Sequence, residues 1–174
     1  KSFLLKLNNF NHDFSLWKAN IVGVDLNVNF NAMWGLGRHN IHHPAPANFI
    51  GYYQNSEIEN INILKFLSSH NIDGSLSIHS KGEVVYYGYD ELSPAEYYRD
   101  KFIAEQLSQY LSFMPEKTQE SVGGLSDYIS CVYHIPALTV ELGNNNLSHP
   151  ITSNMLNTIL PNFLGITEKF YSLI

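Results

Sequence analysis

Ala137-Leu138-Thr139-Val140-Glu141-Leu142-Gly143 is the stretch whose reading decides the fold. Six largely apolar residues lie between Pro136 and Gly143, the length and composition of a buried strand. Its charged member is Glu141, near the strand's end. Burying an isolated charge is costly, so this carboxylate must be paired or perturbed. Either its pKa is raised in a cleft, as a general base requires, or it caps a helix N-terminus such as the one at Gly124.

Working outward, Gly123-Gly124 opens a helix that runs roughly to Tyr133. Ser93, Pro94 and Glu96 give a capping box with Pro at the first helical position, and that helix runs to about Phe113. Ser75 to His79 alternates as a half-buried strand, and Glu83 to Tyr87 is another. A helix from about Ile151 to Phe170 is expected to kink or break at Pro161. Further upstream, Ser56 and Glu59 predict a capping box for a helix whose apolar stripe is Ile58, Ile61, Leu64, Phe66 and Leu67. Ile21 to Leu26 and Ser2 to Leu7 are predicted strands. Residues 27–54 hold many Asn, Gly and Pro residues and read as a long irregular stretch, which in compact domains is usually functional. Strands alternating with helices predict an α/β sheet with helices on both faces. Asp25, His79 and Glu141, all at predicted strand ends, are expected to cluster at one sheet edge, where α/β folds bind ligands.

The chain has 174 residues, 44% hydrophobic and 13% aromatic, which suits one globular domain or a large piece of one. Charged residues make up 15%, too few for a disordered chain of high charge. The formal charge is −6 and the arginines are Arg38 and Arg99, so no clustered basic face for nucleic acid is visible. No apolar run approaches the ~18 residues of a membrane span. The single Cys131 excludes an internal disulfide framework. Lys1 to Lys6 lacks a small-residue cleavage site and is not read as a signal peptide. The chain opens inside a strand-like pattern, which predicts the later part of a longer domain.

Three further groups carry possible chemistry. His79, at a strand end, is either a metal donor or a core histidine bonded to backbone. Asp25 and Asn27 leave a buried strand for the long loop, and turn chemistry accounts for both. His39, His42 and His43 sit in a loop without a helical frame to fix metal-ligand spacing. Of the aromatic runs, Tyr86 and Tyr87 point to opposite faces of their strand, so at most one faces a cleft. Tyr97 and Tyr98 each take one side of a helix.

Three segments in order are Trp17-Lys18-Ala19-Asn20-Ile21-Val22-Gly23-Val24-Asp25-Leu26-Asn27, then Ser77-Ile78-His79-Ser80-Lys81-Gly82-Glu83, then Gly123-Gly124 followed by Pro136 to Gly143. Together they resemble the zinc carboxypeptidase superfamily, the carboxypeptidase A-like peptidases. The His-Ser-Lys-Gly-Glu form is most similar to the bacterial γ-D-glutamyl-diamino-acid peptidase branch. The resemblance implies a mixed central sheet with helices on both faces, lacking the family's first strands and helices. Residues 1–174 would then be the C-terminal portion of a single catalytic domain.

It further implies that His79 is a zinc ligand and that Glu141 is the catalytic glutamate, the general base toward zinc-activated water. Asn27 would help hold the substrate's terminal carboxylate or neighbouring groups, with Val28, Ser80, Gly82 and Glu83 among the substrate-binding positions. The substrate implied is a peptide or peptidoglycan stem peptide, cut at an amide bond next to a carboxylate-bearing residue. Two departures stand out. The family's other zinc ligands come from a His-x-x-Glu upstream of the first segment, whereas the only upstream histidine is His12, with Ser15 three residues on. The expected zinc site is therefore incomplete in this chain. Val28 stands where many relatives carry an Arg that clamps a carboxylate, and Leu16 also replaces a frequent Arg. Arg38 or Lys81 is a candidate to hold an anionic substrate instead. The competing readings are a catalytically incomplete remnant that binds peptides, and the amidohydrolase-like deacylases that share the fold. Loss of the early strands would bare a sheet edge, through which the isolated chain is expected to form a homo-oligomer.

Overall fold

In a computed structural model the structure describes residues 2–89, 91–119 and 121–174. Two compact units are present, one of Lys1–Ile72 with Gln119–Tyr128 and one of Asp73–Thr118 with Ile129–Ile174.

The second unit holds a four-stranded mixed sheet in the order β1-β4-β2-β3, with β1 at Ser75–Ser80, β2 at Val84–Tyr87, β3 at Met114–Lys117 and β4 at Ala137–Leu142. β1 pairs parallel with β4, β2 antiparallel with β4, and β2 parallel with β3. Alternation sorts the side chains by face. Leu76, Leu138, Val140, Leu142, Val85 and Tyr87 join one core with Ile103, Ala104, Leu107 and Leu111 of α3 (Pro94–Leu111) and with Ile166 and Phe170 of α6 (Ile166–Tyr171). Leu107 is completely buried there, and truncating such a leucine to alanine typically costs about 3 kcal/mol. The opposite face carries Ser77, His79, Thr139, Glu141, Tyr86 and Glu116.

The ends of α3 follow its sequence. The Ser93 hydroxyl accepts the Glu96 N–H, Glu96 returns a bond to the Ser93 N–H, and Pro94 occupies the first turn. Ser112 closes the helix in a left-handed conformation. Asp100 of α3 is fully buried, accepting from Arg99 Nε at 2.8 Å and from the Ser130 hydroxyl at 3.3 Å. Burial raises its pKa, and the Arg99 bond and charge oppose that rise.

In the first unit, α1 covers Ser2–Leu7 and α2 covers Ile58–Ser69, and a 3₁₀ turn at Leu26–Val28 opens the long irregular stretch. α4 (Leu125–Tyr133) begins in this unit, and α5 (Leu156–Phe163) belongs to the second.

Several sequence expectations are corrected. Ser2–Leu7 is a helix with no buried residue: a short apolar run fits either period, and no strand pairs with it among the described residues. Ile21–Leu26 is not a strand. The Asn20 side chain accepts the N–H groups of Val22 and Val24, and Gly23 turns the chain at a φ of +83°. Those bonds replace a ladder and leave Ile21 exposed. Asp25 is consequently not at a strand end. α2 has no Ser56–Glu59 box, because the Ser56 hydroxyl bonds Glu57 and Asn29 instead, and the helix starts two residues later. Ile58 and Phe66 of the expected stripe are exposed, and the buried positions are Asn60 and Leu67. Pro161 lies inside α5. The break falls at Gly165, whose left-handed backbone separates α5 from α6. β3 contains Pro115 and lies at the sheet's edge, where a missing N–H is tolerated.

Candidate active site

β1 and β4 lie parallel with His79 directly opposite Glu141. Partners in register share a face, so the imidazole and the carboxylate leave the sheet on the same side, on neighbouring strands. Both are half-buried, and Glu141 Oε2 is shut off from solvent. Tyr86 on β2 is diagonal to Glu141 on that face. Burial, and then the charges of Glu116 and Glu141, push its phenol above the usual value, so it is a neutral donor at neutral pH. The sequence reading limited the cleft-facing tyrosine to at most one of Tyr86 and Tyr87. The strand register selects Tyr86, since Tyr87 lies in the core.

The turns following β1 and β4 are clasped together. Gly82 N–H donates to Gly143 O at 2.8 Å, Lys81 Nζ to Asn145 O at 2.6 Å, and Asn144 Nδ2 to Glu83 Oε2 at 2.8 Å. A Cβ at Gly82 would stand 3.2 Å from Glu141 Cβ, so the missing side chain leaves room for Glu141. Ser80 alternates to the other face and is exposed. Asn144 was not marked by sequence reasoning, because nothing in its Asn-rich surroundings separates it from its neighbours.

Asn27 and Val28 belong to the first unit, on the Leu26–Val28 turn. Asn27 is exposed, whereas Val28 is buried and offers no charge. Asp25 caps the turn: one carboxylate oxygen accepts Asn27 N–H at 3.2 Å and the other accepts Asn48 N–H at 2.9 Å. Beneath it lies a buried amide pair that the sequence reading missed. Asn29 Nδ2 donates to Ile50 O (2.8 Å), Tyr53 O (3.0 Å) and the Ser56 hydroxyl (3.0 Å). Asn60 Nδ2 donates to Leu26 O at 3.0 Å and to Asn29 Oδ1 at 3.3 Å. In an Asn-rich loop composition could not single out Asn29. Asn60 could have been found as a polar residue beside the stripe position Ile61.

Among the described residues no three His, Cys, Asp or Glu side chains stand together as a metal-holding group. An open zinc site takes three protein donors. The described residues thus fit one corner of such a site, at His79, and do not fit the whole ion. His43 Nδ1 lies 3.2 Å from Pro44 O.

Residues 7–158 match the zinc carboxypeptidase family. The chain is 32% identical over 167 residues to the gamma-D-glutamyl-L-diamino acid endopeptidase 1 of Lysinibacillus sphaericus, covering 95% of this chain and 41% of that protein. It is 28% identical over 146 residues to mouse carboxypeptidase A1, covering 82% of this chain and 34% of that one. The chain thus spans less than half the length of either relative. The crystal structure of thrombin activatable fibrinolysis inhibitor superposes with a TM-score of 0.77 at 19% identity, over 89% of this chain and 43% of that one, a likeness of fold. A mixed sheet that sets His79 beside Glu141, and a family match across most of the chain, lead to one conclusion: this chain belongs to the zinc carboxypeptidase family.

Proposed function

We propose that the protein is a peptidase that hydrolyses the amide bond between a γ-D-glutamyl group and a diamino acid, as in cell-wall stem peptides. The observation that carries this reading is the in-register placement of His79 and Glu141 on one sheet face. The substrate class is supported by the identity with the L. sphaericus endopeptidase over 95% of this chain.

In this reading the 174 residues are part of a single catalytic domain. Glu141 is the general base. Its carboxylate takes a proton from water as the oxygen bonds to the scissile carbonyl carbon, then passes that proton to the amine as the C–N bond breaks. One water is consumed, yielding an acid and an amine. Tyr86, as a neutral phenol, is available to donate a hydrogen bond to developing negative charge. Asn27 binds the carboxylate beside the scissile bond, and Gly82 and Glu83 shape the turn next to Glu141. His79 is one zinc donor. Among the described residues the rest of such an ion's donor set is not assembled.

The test uses full-length protein, with zinc content measured alongside hydrolysis of the tripeptide L-Ala-γ-D-Glu-L-Lys. We expect bound zinc that is lost in His79→Ala, together with release of L-Lys. Absence of both zinc and turnover would overturn the proposal. Binding of the tripeptide without turnover would favour a second reading, a peptide-binding remnant, to which the buried, uncharged Val28 and, among the described residues, the lack of a three-donor group around His79 point.

A further inference from the structure

The Asn27 turn is held from a second side by the turn that opens α4. Phe30 N–H donates to Gly123 O at 3.0 Å, and the rings of Phe30 and Tyr128 meet at 5.8 Å. A Cβ at Gly123 would stand 2.9 Å from Val28 O, so that position admits only glycine without a shift of backbone, and its φ of +89° asks for glycine as well. A Cβ at Gly124 would stand 3.3 Å from Asn27 Oδ1 and 3.3 Å from Asp127 Oδ2. The side chain of Asn27 and the carboxylate of Asp127 therefore flank the same bare glycine. Asp127 Oδ2 accepts the Gly124 N–H at 2.9 Å. All of these residues lie in the first unit.

We propose that Asp127 is a positioning residue for substrate binding: by fixing the Gly123–Gly124 turn through the Gly124 N–H, it fixes the bed on which the Asn27 amide is oriented. This rests on the reading that Asn27 binds the substrate's carboxylate. A capping role in α4 alone would account for an acidic residue in the first helical turn, since acids are favoured there. The bond to Gly124 N–H is the usual one from an N3 carboxylate to the N-cap; what a cap alone does not account for is that the Asn27 side chain lies against the same glycine. The carboxyl is also kept where burial costs it: its pKa is pushed up to about 6, with the N–H groups of Gly124 and Gly123 acting in the opposite direction.

The experiment is steady-state kinetics of the full-length protein on L-Ala-γ-D-Glu-L-Lys, comparing Asp127→Ala, Asp127→Asn, Asn27→Ala and the Asn27→Ala/Asp127→Ala double variant. We expect Asp127→Ala to raise KM about tenfold, the scale of one lost hydrogen bond, with kcat nearly unchanged. Asp127→Asn keeps an acceptor for the Gly124 N–H and should recover most of that loss, which loss of a buried charge alone would not. The double variant should be little worse than Asn27→Ala, because both act through one amide. If Asp127→Ala does not fold, Gly124→Ala replaces it, since its new methyl would press on both Asn27 Oδ1 and Asp127 Oδ2 and should raise KM by disturbing the same turn. Fully additive effects of Asn27 and Asp127, or a loss confined to kcat, would overturn the role of Asp127. An Asn27→Ala variant with unchanged KM would overturn the reading of Asn27 itself, a different result from the first.

Discussion

The chain positions its candidate reactive groups by two methods. In the β1–β4 pair, His79 and Glu141 are placed by ladder register, so the backbone alone sets which residues face each other. In the Leu26–Val28 turn, Asn27 is placed by side chains: Asp25 from its own strand of loop, Asn29 and Asn60 from below, Asp127 through Gly124. A ladder can lose a polar side chain and keep its register, because the register is held by the backbone. A loop built on buried amides cannot, because each lost partner strands a donor or a carbonyl away from water.

That contrast orders the expected losses of stability. Asn29→Leu should cost the most, about 3 kcal/mol by urea denaturation, because it removes the donor to Ile50 O and Tyr53 O and places a bulkier group in a fully buried site. A variant within experimental error of wild type would show that the loop does not depend on its amides.

Asp127 gives a pH signature. Its folded pKa of about 6 lies above the ordinary 3.8, so the folded state holds the proton more tightly than the unfolded chain. Its contribution is complete below the lower value and is lost as pH rises toward the higher one. Stability should fall by about 2 kcal/mol more in wild type than in Asp127→Asn between pH 4 and pH 7. Parallel pH profiles for the two proteins would contradict this.

A smaller loss, about 1 kcal/mol, is expected for Ser93→Ala, which removes the α3 cap from the sheet's covering helix. The smallest belongs to the sheet face itself: Glu141→Gln should stay within about 0.5 kcal/mol of wild type, since it keeps the shape and the ladder. A loss as large as that of Asn29→Leu would erase the difference between the two regions.

The same contrast explains what could be read from the sequence. β4 was legible to its exact ends, because an apolar run between Pro136 and Gly143 has no competing period. The Ser93 box and the helix behind it were legible for the same reason, since cap, proline and stripe agree. The family motifs pointed to His79 and Glu141, which the ladder sets side by side. Ile21–Leu26 misled because its β-branched residues satisfy a strand pattern, while Asn20 and Gly23 bend the backbone by bonds no pattern encodes. β3 was missed because Pro115 argues against a strand unless it is known to be at an edge. Asn29 was illegible: its partners lie far along the chain, and in a loop rich in Asn one amide looks like another.

The measurement that tests the central claim most directly is kcat of full-length Glu141→Gln on L-Ala-γ-D-Glu-L-Lys, read beside its folding stability. We expect kcat to fall by about a thousandfold, the scale of a lost general base, while the protein remains as stable as wild type. A variant that turns over at the wild-type rate would contradict the assignment of Glu141, and with it the meaning given to its place opposite His79.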